Sequence, residues 1–330
     1  MNDKFSKIAL FHAYVSMLAF AVTFQAIPPV LGLIVSSLGI SHAYAGALMS
    51  IFALPGIIIS IPGGILTDIY GPKLMGIVAL ATTFAGTILV GIGTNFPMLA
   101  IGRFVAGLGG LTIAIIAPQT LSRWFTKGNL GGAMGIFNTA MPVGTILSLN
   151  IFSRLAVNWG WRVPIFTTAI FSLSILILFI FKHPGLPNGR RNLSAQRLSE
   201  FKKRLQSIKE TGWSIWLVAL TWMMFNASAI SYLTFSSDYY VSIGYGVGYS
   251  GFLASLLMVG SLIFSPLVGY FTDKIGKSEY FIIGGSAILA FLLFLISRTN
   301  LNPLLLGGLM GLSAAFIPAP IFSLVPKFLP

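Results

Sequence analysis

Long apolar runs separated by short polar turns extend along the whole chain. Ten of these runs are long enough to cross a ~30 Å hydrocarbon core, which takes about 20 apolar residues in a helix. The predicted spans are residues 8–36, 44–66, 74–94, 97–120, 131–153, 162–181, 213–236, 248–271, 280–297 and 301–324. The pattern predicts an all-α membrane protein.

Composition supports this prediction. The 330 residues are 56% hydrophobic and 8% charged, with a mean hydropathy of +0.90, whereas soluble proteins average ~25% charged residues. The chain has no cysteine, which excludes disulfides and thiolate metal sites. The three histidines stand far apart in sequence, so neither a metal nor a cofactor is expected.

Basic residues predict the orientation of the spans. If the N-terminus is cytoplasmic, sixteen Lys and Arg fall on the cytoplasmic side and three fall outside, at Arg154, Arg162 and Arg298. This bias predicts a multi-pass protein of the cell membrane. It also accounts for the net charge of +13 without a nucleic-acid partner.

One long polar segment, residues 182–212, divides the spans into six and four. It carries eight basic residues, and apolar residues recur in it at helical spacing. This composition predicts an amphipathic helix on the anionic inner leaflet.

Two polar turns share the pattern Gly, three residues, Asp, two residues, Gly, and lie 205 positions apart. The shared positions are Gly64, Asp68 and Gly71 in the first turn, and Gly269, Asp273 and Gly276 in the second. Each turn also carries a lysine close after its second glycine, Lys73 and Lys277. The repeat indicates two related halves. We expect Gly71 and Gly276 to adopt the positive φ that ends a helix.

These turns resemble the loop between the second and third helices of the major facilitator superfamily of secondary transporters. Three further stretches resemble elements of that family: Arg103–Gly110, Gly131–Gly135 and Gly160–Arg162. The resemblance implies a bundle with an N-terminal six-helix half at 1–181, a cytoplasmic linker at 182–212 and an incomplete C-terminal half at 213–330. About ten of the usual twelve helices are then present, as in a fragment or a truncated gene product.

Two departures from the family pattern bear on function. Asn129-Leu130 stands where the family commonly has an acid and an Arg, and Pro142 lacks a preceding glycine. The second departure makes drug–proton exchange less favoured.

The resemblance further implies alternating access, in which two halves rock about a central site. The two Asp turns are then cytoplasmic gates. For Asp68 we expect the partner on an eleventh helix, so that this latch is empty in the present chain.

Arg103 is the foremost candidate for binding substrate or a coupling ion, since a cation within a span usually faces the bundle interior or an aqueous cavity. The alternative that it bonds backbone carbonyls is left open. Further cavity candidates are Gln25, Gln119, Asn138, Trp222 and Asn226.

The predicted function is secondary transport of a small solute, with an organic anion favoured by Arg103 and by spans without deep acids. The alternatives are a proton-linked drug or metabolite exporter, a membrane sensor, or an inactive truncated relative. We expect no enzyme activity, because no catalytic triad or metal cluster is evident, and the glycine-rich 107–110 lacks the Lys-Ser/Thr of a phosphate loop. The expected partners are the small solute, an unspecified coupling proton or ion and the lipid bilayer, and we expect a monomer.

Overall fold

A computed structural model of the chain describes residues 3–125, 127–183, 212–299 and 301–328. These residues are helical apart from short turns, and no strand occurs among them. The chain divides into two compact units, Met1–Ser194 and Ala195–Pro330. The amphipathic helix predicted for the linker lies almost wholly in 184–211, outside the described residues.

The described part of the N-terminal unit contains ten α-helices. They are α1 (Asp3–Phe24), α2 (Leu31–Leu38), α3 (His42–Ala53), α4 (Pro55–Tyr70), α5 (Pro72–Ile92), α6 (Phe96–Trp124), α7 (Lys127–Asn138), α8 (Ala140–Leu147), α9 (Ser153–Trp159) and α10 (Arg162–Lys182). A 3₁₀ turn, Pro28–Val30, precedes α2, and a π-helical turn, Ser148–Phe152, joins α8 to α9.

The C-terminal unit contains five described helices. They are α11 (Trp213–Ser242), α12 (Val247–Ile275), α13 (Ser278–Ile296), α14 (Pro303–Ala315) and α15 (Pro318–Phe328). Among the described residues of both units, ten helical stretches are long and apolar enough to cross a membrane, which confirms the predicted number. The seventh runs to Ser242, six residues beyond its predicted end at 236, because the helix continues through the polar Ser236, Ser237 and Asp238.

Glycines allow close helix contacts in each unit. A Cβ on Gly86 of α5 would lie 2.2 Å from the Ala106 nitrogen of α6, and one on Gly260 of α12 would lie 2.6 Å from the Gly311 Cα of α14. Small residues let helix backbones approach closely in lipid. The Gly131–Gly135 pair makes no such contact with the residues that the structure describes, since a Cβ on either glycine would meet none of them within 4 Å.

Prolines interrupt α1 and its continuation α2. In an unbroken helix the carbonyls of Phe24 and Gln25 would accept from residues 28 and 29, but both are prolines and have no N–H. The chain therefore passes through a 3₁₀ turn there, and two carbonyls need other donors.

Candidate functional site

The helix ends that carry Lys73, Arg123 and Lys182 lie together in the N-terminal unit, and we call this region the basic end. At the start of α5, a Cβ on Gly76 would lie 2.5 Å from Phe179 near the end of α10. Ser6 at the start of α1 donates a 3.0 Å hydrogen bond to the Trp124 carbonyl that ends α6. His12 of α1 also packs against His183 after α10, with ring centroids 5.3 Å apart. The basic end is therefore a packed junction of α1, α6 and α10.

The first Asp turn is joined to α6 at the basic end. Asp68 of α4 forms an ion pair with Arg123. One turn earlier on both helices, a Cβ on Gly64 would lie 3.2 Å from Gln119 Nε2. Residues of α4 therefore meet residues 55 positions later in α6, as two parallel helices with a constant register require.

This register corrects the expectation for the Asp68 latch. We expected its partner on an eleventh helix and an empty latch here, but the structure gives Asp68 a partner within its own unit. The parallel packing of α4 and α6, which no sequence motif encodes, brings Arg123 to it. Whether Asp68 also acts as a gate stays a prediction.

The turn glycines adopt the expected backbone. Gly71 has φ of +86° between α4 and α5, and Gly276 has φ of +72° between α12 and α13. Both helix ends therefore depend on glycine, because other residues rarely adopt this region. The Asp273 side chain lies outside the described part of the chain, so its gating role also stays a prediction.

Arg103 lies inside the N-terminal unit with 2% of its surface exposed. Its Nη1 donates to the Thr23 carbonyl at 2.8 Å, its Nη2 to the Phe24 carbonyl at 3.0 Å and its Nε to the Leu48 carbonyl at 3.0 Å. The guanidinium also lies 4.3 Å from the centroid of the Phe52 ring, where a cation–π contact stabilises it. Arg103 thus joins the end of α1 to α3.

The Arg103 donors are largely engaged. Nη2 also points to the Met49 sulfur at 3.5 Å, so four of the five N–H groups have an acceptor. The sequence left two roles open for Arg103, which are binding of substrate or ion and bonding of backbone carbonyls. These contacts support the second role. A role in binding substrate stays a prediction.

Both carbonyls released by the prolines find donors. Arg103 bonds that of Phe24, and Ser148 Oγ in the π-helical turn donates to that of Gln25 at 2.5 Å. Buried backbone groups must be paired to avoid a large desolvation cost. The break in α1 is therefore stabilised from α6 and from the π-helical turn.

Ser148 is not among the site residues predicted from the sequence. Serines in membrane helices are common, so Ser148 carried no signal of its own. The detectable signal was the Pro28-Pro29 pair, which implies two free carbonyls and hence two donors from elsewhere.

Two predicted amides have unpaired oxygens. Gln25 is 1% exposed, and its Oε1 has no hydrogen-bond partner among the described residues. The same holds for the buried Oε1 of Gln119. The Thr23 hydroxyl near Gln25 is also buried without a partner. An unpaired buried acceptor is costly, and at a site it can receive a donor from a ligand.

A second helix break in the N-terminal unit separates α7 from α8, directly after Asn138, the last residue of α7. Asn138 is exposed, and the neighbouring Thr139 Oγ1 lies 3.4 Å from Tyr14 Oη of α1. Pro142 cannot donate to the Asn138 carbonyl, which explains the break. Tyr14 and Thr139 thus add hydroxyls that sequence reasoning did not select.

The remaining candidates lie in the C-terminal unit. Trp222 packs on Phe322 of α15 with ring centroids 4.9 Å apart. Asn226 Nδ2 donates to the Trp222 carbonyl at 2.8 Å. Their part in a site stays a prediction.

A profile of the Major Facilitator Superfamily matches residues 13–330, nearly the whole chain with both Asp turns. The chain belongs to this superfamily. Among its relatives, the sialic acid transporter NanX of Escherichia coli is 28% identical over 97% of this chain and 78% of its own length. The probable sulfoacetate transporter SauU of Cupriavidus necator is 25% identical over 74% of this chain and 60% of its own.

Solved structures show the same fold. A D-xylose–proton symporter aligns with a TM-score of 0.72 over 97% of this chain and 82% of its own, at 17% identity. The all-α superfamily bundle predicted from the sequence is thereby confirmed, and the family consists of transporters, not enzymes. Membrane orientation, the particular membrane and the oligomeric state stay predictions.

Proposed function

We propose that this superfamily member is a secondary transporter that moves a small organic anion by alternating access. The main support is the chemistry in the names of its relatives. Sulfoacetate, sialic acid and L-galactonate, the solutes named for three of them, all carry a carboxylate or a sulfonate. The matched segments cover 60%, 78% and 31% of those relatives, so their substrates enter here only as a proposal.

The charge distribution is consistent with an anionic solute. The acids whose side chains are described, Asp68, Asp238 and Glu279, lie at or near helix ends, whereas Arg103 lies within a span. A field of this sign attracts anions and repels cations.

Within the N-terminal unit we assign Arg103 a positioning role and Gln25 a contact role. Arg103 holds the end of α1 against α3, and the Gln25 amide follows directly from that end. Its unpaired Oε1 can accept a hydrogen bond from a hydroxyl or amide of the solute. Broken helices of this kind form solute sites in many transporters.

Counterflow in proteoliposomes tests the proposal without knowledge of the coupling ion. Vesicles containing the chain are loaded with unlabelled solute, and entry of labelled sialic acid, sulfoacetate, galactonate or neutral xylose is measured. We expect counterflow with at least one of the acids and less with xylose. Equal counterflow with xylose would contradict the anion preference, and none with any solute would favour a sensor or an inactive relative.

Two variants distinguish a side chain that contacts the solute from one that holds the end of α1 in place. Gln25→Leu removes the amide and should raise KM several-fold for an acid that carries hydroxyls, such as sialic acid or galactonate, with little change in thermal stability. Ser148→Ala should instead lower stability, since it leaves the Gln25 carbonyl without its donor. A KM unchanged by Gln25→Leu would remove Gln25 from the site.

A further inference from the structure

The break between α7 and α8 leaves a backbone acceptor free within a membrane span. In an unbroken helix the N–H of residue 142 would donate to the Asn138 carbonyl, but Pro142 has no N–H. No other donor reaches this carbonyl among the described residues. At the proline break in α1, by contrast, side chains bond both freed carbonyls, one from Arg103 and one from Ser148. The second break therefore keeps an acceptor that a ligand can use.

The Asn138 side chain adds an amide at the same point. It is exposed, although the residue lies in the span Asn129–Trp159. An exposed hydroxyl in a span can bond the carbonyl one turn earlier, as Ser174 of α10 does to Ile170 at 2.9 Å. The Asn138 amide makes no such bond to the residues that the structure describes. Because an amide in hydrocarbon without a partner is costly, Asn138 marks a face of the unit that meets water.

A tyrosine hydroxyl lies close to this amide. Tyr14 Oη of α1 is 3.4 Å from the Oγ1 of Thr139, the residue that follows Asn138. Thr139 Oγ1 donates its own proton to the Ile136 carbonyl at 2.7 Å, so towards Tyr14 it can only accept. The phenol oxygen of Tyr14 is thus left to accept a hydrogen bond from a ligand.

The groups at this break are neutral, and their acceptors need a donor. At neutral pH a carboxylate or a sulfonate has no proton to donate, whereas a hydroxyl both donates and accepts. Arg103 supplies no charge here, since it is 2% exposed and bonds backbone carbonyls of α1 and α3. The break is therefore suited to the hydroxylated part of a solute and not to its acid group.

We propose that the break between α7 and α8 binds hydroxyl groups of the transported solute, through the Asn138 carbonyl and amide and the Tyr14 hydroxyl. The solute is then a polyhydroxylated acid, an inference that rests on the proposed function. Tyr14 precedes Gln25 by eleven residues, about 16 Å along α1, and lies on the side of the basic end. A single hydroxyl cannot reach both residues, so they are successive contacts on the path of the solute.

Protection of a single thiol measures binding at the break without transport. Gly135→Cys introduces the thiol three residues before Asn138, on the same helix face, and leaves both contact residues intact. Labelling of the purified full chain by a water-soluble maleimide is timed with increasing galactonate, sialic acid or sulfoacetate. We expect labelling without solute, and half-protection by a hydroxylated acid at a concentration at least fivefold lower than by sulfoacetate. Absence of labelling, or equal protection by all three acids, would overturn the proposal.

Failure of this inference and failure of the proposed function give different results. Equal protection by the three acids, together with counterflow, would retain an anion transporter and remove the recognition of hydroxyls. No protection and no counterflow with any acid would contradict the proposed function, and this inference with it. Ser174→Cys on α10 is the control, and the acids should not change its labelling.

A matched pair of variants locates the hydroxyl contact. Tyr14→Phe, added to Gly135→Cys, removes only a hydroxyl. It should raise the half-protecting concentration of the hydroxylated acid about fivefold, the effect of one neutral hydrogen bond. Tyr44→Phe makes the same change in α3, where the ring packs on Phe96 at the start of α6, and should leave that concentration unchanged. Equal results with the two variants would contradict a contact at Tyr14.

Pro142→Ala tests the freed carbonyl. The alanine N–H can donate to the Asn138 carbonyl, which should raise the melting temperature and occupy the acceptor. We expect a more stable protein in which the hydroxylated acid protects the Gly135→Cys thiol less well. A proline with a purely structural role would not give this combination. Unchanged protection in Pro142→Ala would overturn the contact at the Asn138 carbonyl.

Discussion

The two units share their turns but differ in the side chains that hold their helices together. Gly64 and Gly71 recur as Gly269 and Gly276. The polar residues that fasten the N-terminal unit do not recur: 205 positions after Arg103 the chain has Gly308. The repeat thus preserves the helix ends and leaves the contacts between helices to vary.

The same difference is seen in the Asp turns. Asp68 pairs with Arg123, but the position equivalent to Arg123 is Phe328 and the one equivalent to Gln119 is Leu324. A turn with the same Gly and Asp positions is therefore part of an ion-paired seam in the first unit, whereas in the second unit the position that matches Arg123 is a phenylalanine, next to Lys327.

The largest effect is expected at Arg103. Arg103→Leu removes the donors of three buried carbonyls and should destabilise the protein by about 3 kcal/mol or more, measured by thermal unfolding in detergent. Gly308→Leu at the equivalent position of the other unit should have little effect. Arg103→Lys keeps the charge but loses the forked geometry and should fall between them. A stable Arg103→Leu protein would show that the carbonyls find other donors.

The second largest loss of stability is expected at Gly86, in the close contact between α5 and α6. Gly86→Ala should destabilise by about 2 kcal/mol, because its methyl group would collide with the backbone of α6. Gly284→Ala in the C-terminal unit should be close to neutral, because a Cβ there would meet none of the described residues within 4 Å. Similar melting temperatures for the two variants would mean that the units do not differ in packing as described.

A smaller loss of stability is expected when the pH is lowered. Burial, with a lesser contribution from His12 and Lys73, lowers the pKa of His183 from 6.5 to about 3. The unfolded chain therefore binds a proton between these values that the folded chain does not. Stability should fall as the pH drops below 6.5, by about 1 kcal/mol at pH 5.5.

His183→Gln should remove that part of the pH dependence. The relevant measurement is the difference in melting temperature between pH 7.5 and pH 5.5 for the two proteins. An identical difference in both would indicate that other groups dominate.

The smallest effect is expected for the Asp68 pair. Its side chains are 31% exposed for Asp68 and 25% for Arg123, so solvent screens the attraction, and Asp68→Asn should cost about 0.5 kcal/mol. The chain has no cysteine, so Gly135→Cys provides a single thiol for labelling. A large rise in its labelling when Asp68→Asn is added would support the predicted gate. A loss of stability without any change in labelling would leave Asp68 as a brace between α4 and α6.

Much of the fold could be predicted from local features. The ten spans follow from run length and hydropathy, and the positive φ of Gly71 and Gly276 follows from their place between two helices. The candidate site was less predictable. Gln25 was selected as a polar residue in a span, but Ser148, Tyr14 and Thr139 were not, because isolated hydroxyls in membrane helices carry no distinguishing pattern.

Local sequence is sufficient to specify which segments enter the membrane and where helices break, because apolar partitioning and the missing N–H of proline act locally. The partners of the polar side chains depend instead on how the helices pack. Arg103 bonds carbonyls 55 to 80 positions away, and Asp68 meets Arg123 because α4 and α6 run parallel in one register. A hydrogen bond depends on distances of about 3 Å, and packing between distant helices sets those distances.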